Sequence, residues 1–158
     1  MNALVAYFSA SGSTAKLAKT LAAAAGAALY EIRPAVAYER RDLNWMDKKS
    51  RSTVEMQDPN CRPALADTDA PVADADVVFL GFPIWWYREP SLIDSFLDVC
   101  ELSGKTVVPF FTSGGSQLGE GQGRIEALAR GARVLPGKRF SARAGESELL
   151  SWIGGLGL

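Results

Sequence analysis

The 158-residue sequence contains no histidine. Imidazole is the side chain whose ordinary pKa lies nearest neutral pH. Its absence excludes His-based acid–base catalysis, Ser-His-Asp triads and histidine-containing metal sites. Cysteine is scarce. Cys61 and Cys100 stand far apart with no CxxC spacing, so neither a zinc site nor a dithiol redox motif is written here. They could pair in an oxidising compartment, but no signal peptide implies export, so both are expected as reduced thiols in a cytoplasmic protein. Neither sign of charge dominates. A net charge of -1 leaves no basic footprint for nucleic acid and no strong acidic field for steering toward a basic partner. No apolar run approaches the roughly 20 residues of a membrane span, so no membrane insertion is expected.

What is present is ordinary for a globular protein: 47% hydrophobic and 22% charged residues. The length fits a single domain, residues 1–158, with a real hydrophobic core. Leu4–Phe8 is a short apolar run without alternation, as in a strand covered on both faces. Thr14, Leu17, Ala18, Leu21, Ala22 and Ala25 then repeat at helical spacing, with Gly26 as a stop. Ala28–Ile32 reads as a second strand ended by Pro34. Val77–Phe82 reads as the third, closed by Pro83. A helix follows from about Pro90, its apolar face made by Leu92, Ile93, Phe96, Leu97 and Cys100. Thr106–Phe111 is the fourth strand, and residues 123–130 a short helix. Residues 132–140 hold a fifth strand broken near Pro136-Gly137, before a last helix over residues 146–154.

Alternating strands and helices mean an α/β protein with a parallel sheet wrapped on both sides. Ligands are expected beyond the carboxyl ends of its strands. The segment from about residue 34 to 75 is a long excursion between the second and third strands, polar and dotted with proline. Trp45, Lys49, Ser52 and Met56 share one helical face there and suggest a marginal helix. Arg40, Arg41, Lys48 and Lys49 read either as attractors for the phosphates of a nicotinamide nucleotide or as a solvated helix face.

Three loops that follow strands carry the chemistry. Ser9-Ala10-Ser11-Gly12-Ser13-Thr14 puts hydroxyls and backbone N–H groups at a helix start, where unpaired donors favour an anion. Neither a Walker A loop nor GxGxxG follows the first strand. With no lysine inside it, the loop suits a phosphate monoester better than a triphosphate with magnesium. Pro83-Ile84-Trp85-Trp86-Tyr87 sets three consecutive aromatics at a strand end, read as a stacking surface or as packing at a core or interface. Thr112-Ser113-Gly114-Gly115-Ser116 has little bulk and offers backbone donors and acceptors to the polar edge of a ring. Together they describe a ligand with a terminal phosphate and a planar heterocycle.

AYFSASGSTAKLA, GFPIWWYREPSLIDSFL and FTSGGS, in this order and register, resemble the flavodoxin family over nearly the whole chain, most closely bacterial members with a Trp-Trp pair in the second loop. The resemblance implies a flavodoxin-like, doubly wound five-stranded parallel sheet of order 2-1-3-4-5 with helices on both faces, and non-covalent FMN. Carried across, Ser9, Ser11, Gly12, Ser13 and Thr14 hold the phosphate. Pro83, Ile84, Trp85 and Trp86 line one side of the isoalloxazine, and Thr112, Ser113, Gly114 and Gly115 meet its other edge. Ser13 stands where the family commonly has asparagine, which still leaves a donor. The implied function is electron transfer through bound flavin between a reductase and an acceptor, protein or small molecule. The alternative is an NAD(P)H-dependent quinone or nitro/azo reductase of the same fold. In either case no catalytic side chain and no metal are expected, because the flavin carries the redox chemistry. Stacking on Trp85 or Trp86 is expected to disfavour the anionic reduced flavin by desolvation.

Overall fold

The computed structural model describes residues 1–158. Strand β1 (Ala3–Tyr7) leads into helix α1 (Ser13–Ala25), strand β2 (Ala28–Glu31) and the excursion, whose helix α2 spans Arg51–Gln57. The chain continues through β3 (Val77–Pro83), α3 (Ser91–Val99), β4 (Thr106–Thr112) and α4 (Gly121–Leu128). It closes with β5 (Arg133–Val134), β6 (Lys138–Arg139) and α5 (Glu146–Gly154). All pairings within the sheet are parallel, in the order β2-β1-β3-β4-β5, with β6 also on β4.

The unbroken apolar runs have the cause expected of them. Leu4, Ala6, Val78, Leu80, Phe82, Val107 and Phe111 enter one core, with Leu92, Ile93 and Phe96 of α3 and Ile125 of α4. Their neighbours Val5, Tyr7, Val77, Phe79, Val108 and Phe110 point the other way, onto Leu17 and Leu21 of α1 and Leu149 of α5. Successive strand residues face opposite sides, so a strand covered twice must be apolar throughout. β2 lies at the sheet edge, and its Ala28, Leu29 and Glu31 are exposed.

The fifth strand is split, as the Pro136-Gly137 pair suggested. Gln122 of α4 spans the break: its side-chain amide donates to the Leu135 carbonyl (3.1 Å), and its oxygen accepts the Gly137 N–H (2.9 Å). The marginal helix is shorter than expected. Asn44 and Asp47 accept the N–H groups of Met46 (3.1 Å) and Lys49 (2.9 Å), local bonds that compete with helix formation. The helix therefore starts at Arg51, capped by the Ser50 hydroxyl. Ser52 and Met56 are buried in it, while Trp45 and Lys49 lie outside it and are exposed. No helix is long and apolar enough to cross a membrane.

Gly81 of β3 pairs with Phe110 of β4. A Cβ there would sit 2.2 Å from Cζ of Phe110, whose fully buried ring lies against the glycine. Gly81→Ala is expected to destabilise the fold by about 1–3 kcal/mol through overpacking. A lowered urea midpoint at unchanged slope is the check.

A candidate cofactor site at the carboxyl edge of the sheet

β1, β3 and β4 run in the same direction, so the loops after them emerge on one edge. In the first loop Gly12 takes φ 98°, a left-handed conformation that favours glycine. A Cβ on Gly12 would find no atom within 4 Å, so the loop is open on that side. The Ser9 hydroxyl accepts the Gly12 N–H at 3.1 Å and shapes the turn. Lys16 N–H donates to the Gly12 carbonyl at 3.1 Å. The amides of Ser13, Thr14 and Ala15 precede that bond and have no partner within the helix. They sit at the positive end of its dipole, beside the exposed side chains of Ser11 and Ser13. This cradle fits a phosphate.

Thr14 is different. It is buried, and its Oγ1 lies 2.7 Å from Oγ1 of Thr112, which ties the first loop to the third. In the third loop Ser113 donates to the Ser116 carbonyl (2.6 Å) and accepts the Gly115 N–H (3.3 Å). Arg139, at the end of β6, donates to the Ser113 carbonyl from Nε (3.2 Å) and Nη2 (3.1 Å). Ser113 thus holds the loop in shape, while Gly114 and Gly115 stay exposed.

The second loop folds as a two-residue hairpin. Trp85 and Arg88 exchange backbone hydrogen bonds of 3.0 and 3.2 Å around Trp86 and Tyr87. Both central residues have positive φ, 48° and 64°. Such turns favour Asn-Gly, because bulky residues pay a steric penalty there. Two exposed aromatics are thus held in strained backbone at the sheet's ligand edge. Tyr87→Gly is expected to raise stability by about 1 kcal/mol by releasing that strain, read as an increase in the urea midpoint. An unchanged or lowered midpoint would show that the turn is unstrained.

Trp85 is committed to packing, edge-on to Phe8 (5.6 Å between centroids) and to Tyr38 of the excursion (5.4 Å). The exposed stacking face is that of Trp86, 37% accessible. The second and third loops line one open cavity of about 760 Å³, between Ile84–Tyr87 on one side and Gly114 and Ser116 on another. Ser9 borders a separate cleft of about 410 Å³ beside Tyr38 and Arg33. The Thr14–Thr112 bond links the first loop to the third.

This geometry belongs to a known group of proteins. The flavodoxin family model matches residues 2–156. The chain belongs to the flavodoxin family. A protein from Bacteroides eggerthii, assigned as a flavoprotein, is 42% identical over 99% of this chain and 98% of its own, with TM-score 0.93. One from Bacteroides uniformis, assigned likewise, is 40% identical over 97% of each chain, with TM-score 0.91. A flavoprotein from Lactobacillus acidophilus, solved in complex with FMN, shares the fold at 22% identity, covering 96% of this chain and 98% of its own, with TM-score 0.75. Among curated proteins none matches the chain.

Behind the hairpin lies a cluster that motif reading missed. Glu89 and Asp94 have no exposed surface. Arg124 of α4 reaches both, Nε to Glu89 at 3.1 Å and Nη2 to Asp94 at 2.5 Å. Arg88, itself buried, approaches Asp94 at 3.5 Å and donates to the Glu89 carbonyl (3.0 Å) and to the Met56 carbonyl of α2 (3.2 Å). Glu89 Oε1 and Asp94 Oδ1 have no hydrogen-bond partner. Burial, with Asp94 beside it, pushes the Glu89 carboxyl up to about 9, against the opposing pull of Arg124. The available sequence signal was an aspartate inside α3, a helix whose residues 91–97 are all buried. An acid in such a place must be paired.

Both cysteines are free. Burial pushes the Cys100 thiol up to about 12 and raises that of Cys61, so both stay protonated at neutral pH. Burial also raises Tyr38, whose hydroxyl donates to Glu55.

Proposed function

We propose that this flavodoxin-family protein, a single domain over residues 1–158, binds FMN at the carboxyl edge of its sheet and transfers electrons through it. The observation that carries the reading is the meeting of three loops at that edge. One is an open cradle of free amides and hydroxyls, and the Thr14–Thr112 bond couples it to two loops that line an aromatic cavity. Ser9, Ser11, Gly12, Ser13 and Thr14 form the phosphate end. Pro83, Ile84, Trp85 and Trp86 line one side of the ring, and Thr112, Ser113, Gly114 and Gly115 its polar edge. Bound flavin supplies the redox chemistry. The chain binds and orients it, and the apolar wall of Ile84 and Trp86 keeps water from its face. The FMN complex of the Lactobacillus acidophilus relative supports the choice of cofactor.

A second reading is an FMN-dependent NAD(P)H reductase of small aromatic acceptors. It is favoured by Leu43, Trp45 and Ser52, which add a wall to the cavity that the flavin loops do not require. The test is an absorbance spectrum of the purified protein after addition of FMN, followed by NADH or NADPH without oxygen. A flavin spectrum that persists until a separate reductase is added supports the carrier. Rapid bleaching by pyridine nucleotide alone supports the reductase. A protein that leaves added FMN unbound rejects both.

A further inference from the structure

The residue 34–75 excursion is fastened to the sheet edge and does not drift over it. Tyr38 packs between Phe8 and Trp85, and the Arg51 guanidinium lies 3.9 Å over the Tyr38 ring. Arg51 also pairs with Glu55 at 3.1 Å and donates to the Val36 carbonyl at 2.7 Å. Two further bonds clamp the excursion to α3 and its approach: Arg88 to the Met56 carbonyl (3.2 Å) and Ser95 to the Pro63 carbonyl (2.7 Å). The excursion is therefore a fixed wall.

That wall faces the aromatic hairpin across the cavity of about 760 Å³. Its lining takes in both the loops assigned to the flavin and the excursion. Leu43, Trp45 and Ser52 of the excursion line it together with Trp86, Tyr87 and Ser116. Trp45 and Tyr87 are exposed to 72% and 71%, a large apolar area to leave in water around one opening. Ser52 borders the same cavity. It is 1% exposed, and its Oγ has no hydrogen-bond partner. A shielded hydroxyl left unpaired costs free energy, which a ligand oxygen would recover. None of the nine lining residues is charged, and Arg40, Arg41, Lys48 and Lys49 are not among them. The chemistry of the lining thus suits a flat, neutral ring that carries a polar atom for the Ser52 hydroxyl.

We propose that Trp45 and Ser52 form a second subsite beside the flavin position, which holds a neutral planar conjugated dicarbonyl of the quinone class. Trp45 stacks on the ring, and Ser52 Oγ donates to one carbonyl. This rests on the FMN reading above, because the Ile84–Trp86 side of the cavity is assigned to the flavin.

The test uses the full chain loaded with oxidised FMN and 2,3-dimethyl-1,4-naphthoquinone as the probe, whose substituted ring carbons resist thiol addition. FMN affinity is titrated first by flavin fluorescence, and probe binding is then followed by quenching of tryptophan fluorescence and by equilibrium dialysis. Saturable binding with FMN retained is the expected result. Trp45→Ala is expected to weaken the probe by about tenfold and Ser52→Ala by about three- to tenfold, with FMN affinity unchanged in both. Ser52→Thr, which keeps the hydroxyl, is expected to bind as the parent does. Failure of the probe to bind FMN-loaded protein, expulsion of FMN by the probe, or equal affinity in Trp45→Ala overturns the subsite and leaves the FMN reading intact. Failure of FMN itself to bind overturns both.

Discussion

Replacing Arg88 by alanine is expected to lower the unfolding free energy by about 3–5 kcal/mol, the usual result of removing one partner from a buried ionic cluster. Arg88 is 3% exposed, and its guanidinium serves Asp94, the Glu89 carbonyl and the Met56 carbonyl at once. Its loss leaves a buried carboxylate less compensated and removes one of the bonds that hold α2 against the approach to α3. Urea unfolding at pH 7 measures the effect, and a loss below 1 kcal/mol would show that Arg124 alone neutralises the cluster. The same cluster sets a pH dependence. Burial and the neighbouring Asp94 push the native Glu89 carboxyl up to about 9 from its ordinary 4.5, so between those limits the native state holds a proton that the unfolded state has released. Stability therefore falls as pH rises through that window, by up to about 1.4 kcal/mol per pH unit for one proton. Glu89→Gln keeps an N–H donor for Asp94 without a titrating group. Its stability is expected to vary much less from pH 5 to 9 and to exceed that of the parent at pH 8.5. Parallel pH profiles for the two proteins would place the titrating group elsewhere.

The double substitution Ser11→Ala with Ser13→Ala is expected to weaken FMN by about 10²- to 10⁴-fold, since each hydrogen bond to a charged group contributes about 1.5–3 kcal/mol. Both side chains are exposed and neither is bonded to the rest of the protein, so the melting curve of the unliganded protein should stay within about 0.5 kcal/mol of the parent. Isothermal titration with FMN and with riboflavin separates the contributions. Riboflavin lacks the phosphate, and its affinity should be unaffected. An equal loss for both ligands would mean that these serines do not meet the phosphate.

The difference between these two sites reflects what a linear pattern can carry. The hydroxyl-rich loop is a local feature: glycine, small hydroxyls and a helix start lie within six residues, and their chemistry does not depend on what packs against them. The Arg88–Glu89–Asp94–Arg124 cluster joins the second loop, α3 and α4, and its members are ordinary surface residue types until the fold buries them. The excursion shows both cases. Its length was legible, but the position of its helix was decided by the local bonds of Asn44 and Asp47, and its role as a cavity wall by Tyr38 docking on Trp85.

By itself the sequence determined the parallel sheet, the order of its elements and the three loops at the carboxyl edge. Each of these follows from periodicity, strand-ending proline or glycine, and short-range donor spacing. The tertiary structure decided which tryptophan is free to stack. Trp85 and Trp86 are adjacent in the chain, yet one lies edge-on to Phe8 and Tyr38 while the other is turned outward in left-handed backbone. It also decided that a serine and a tryptophan of the excursion border the same cavity as Trp86. Such choices depend on contacts between residues more than thirty positions apart, and burial, not residue type, sets their chemistry.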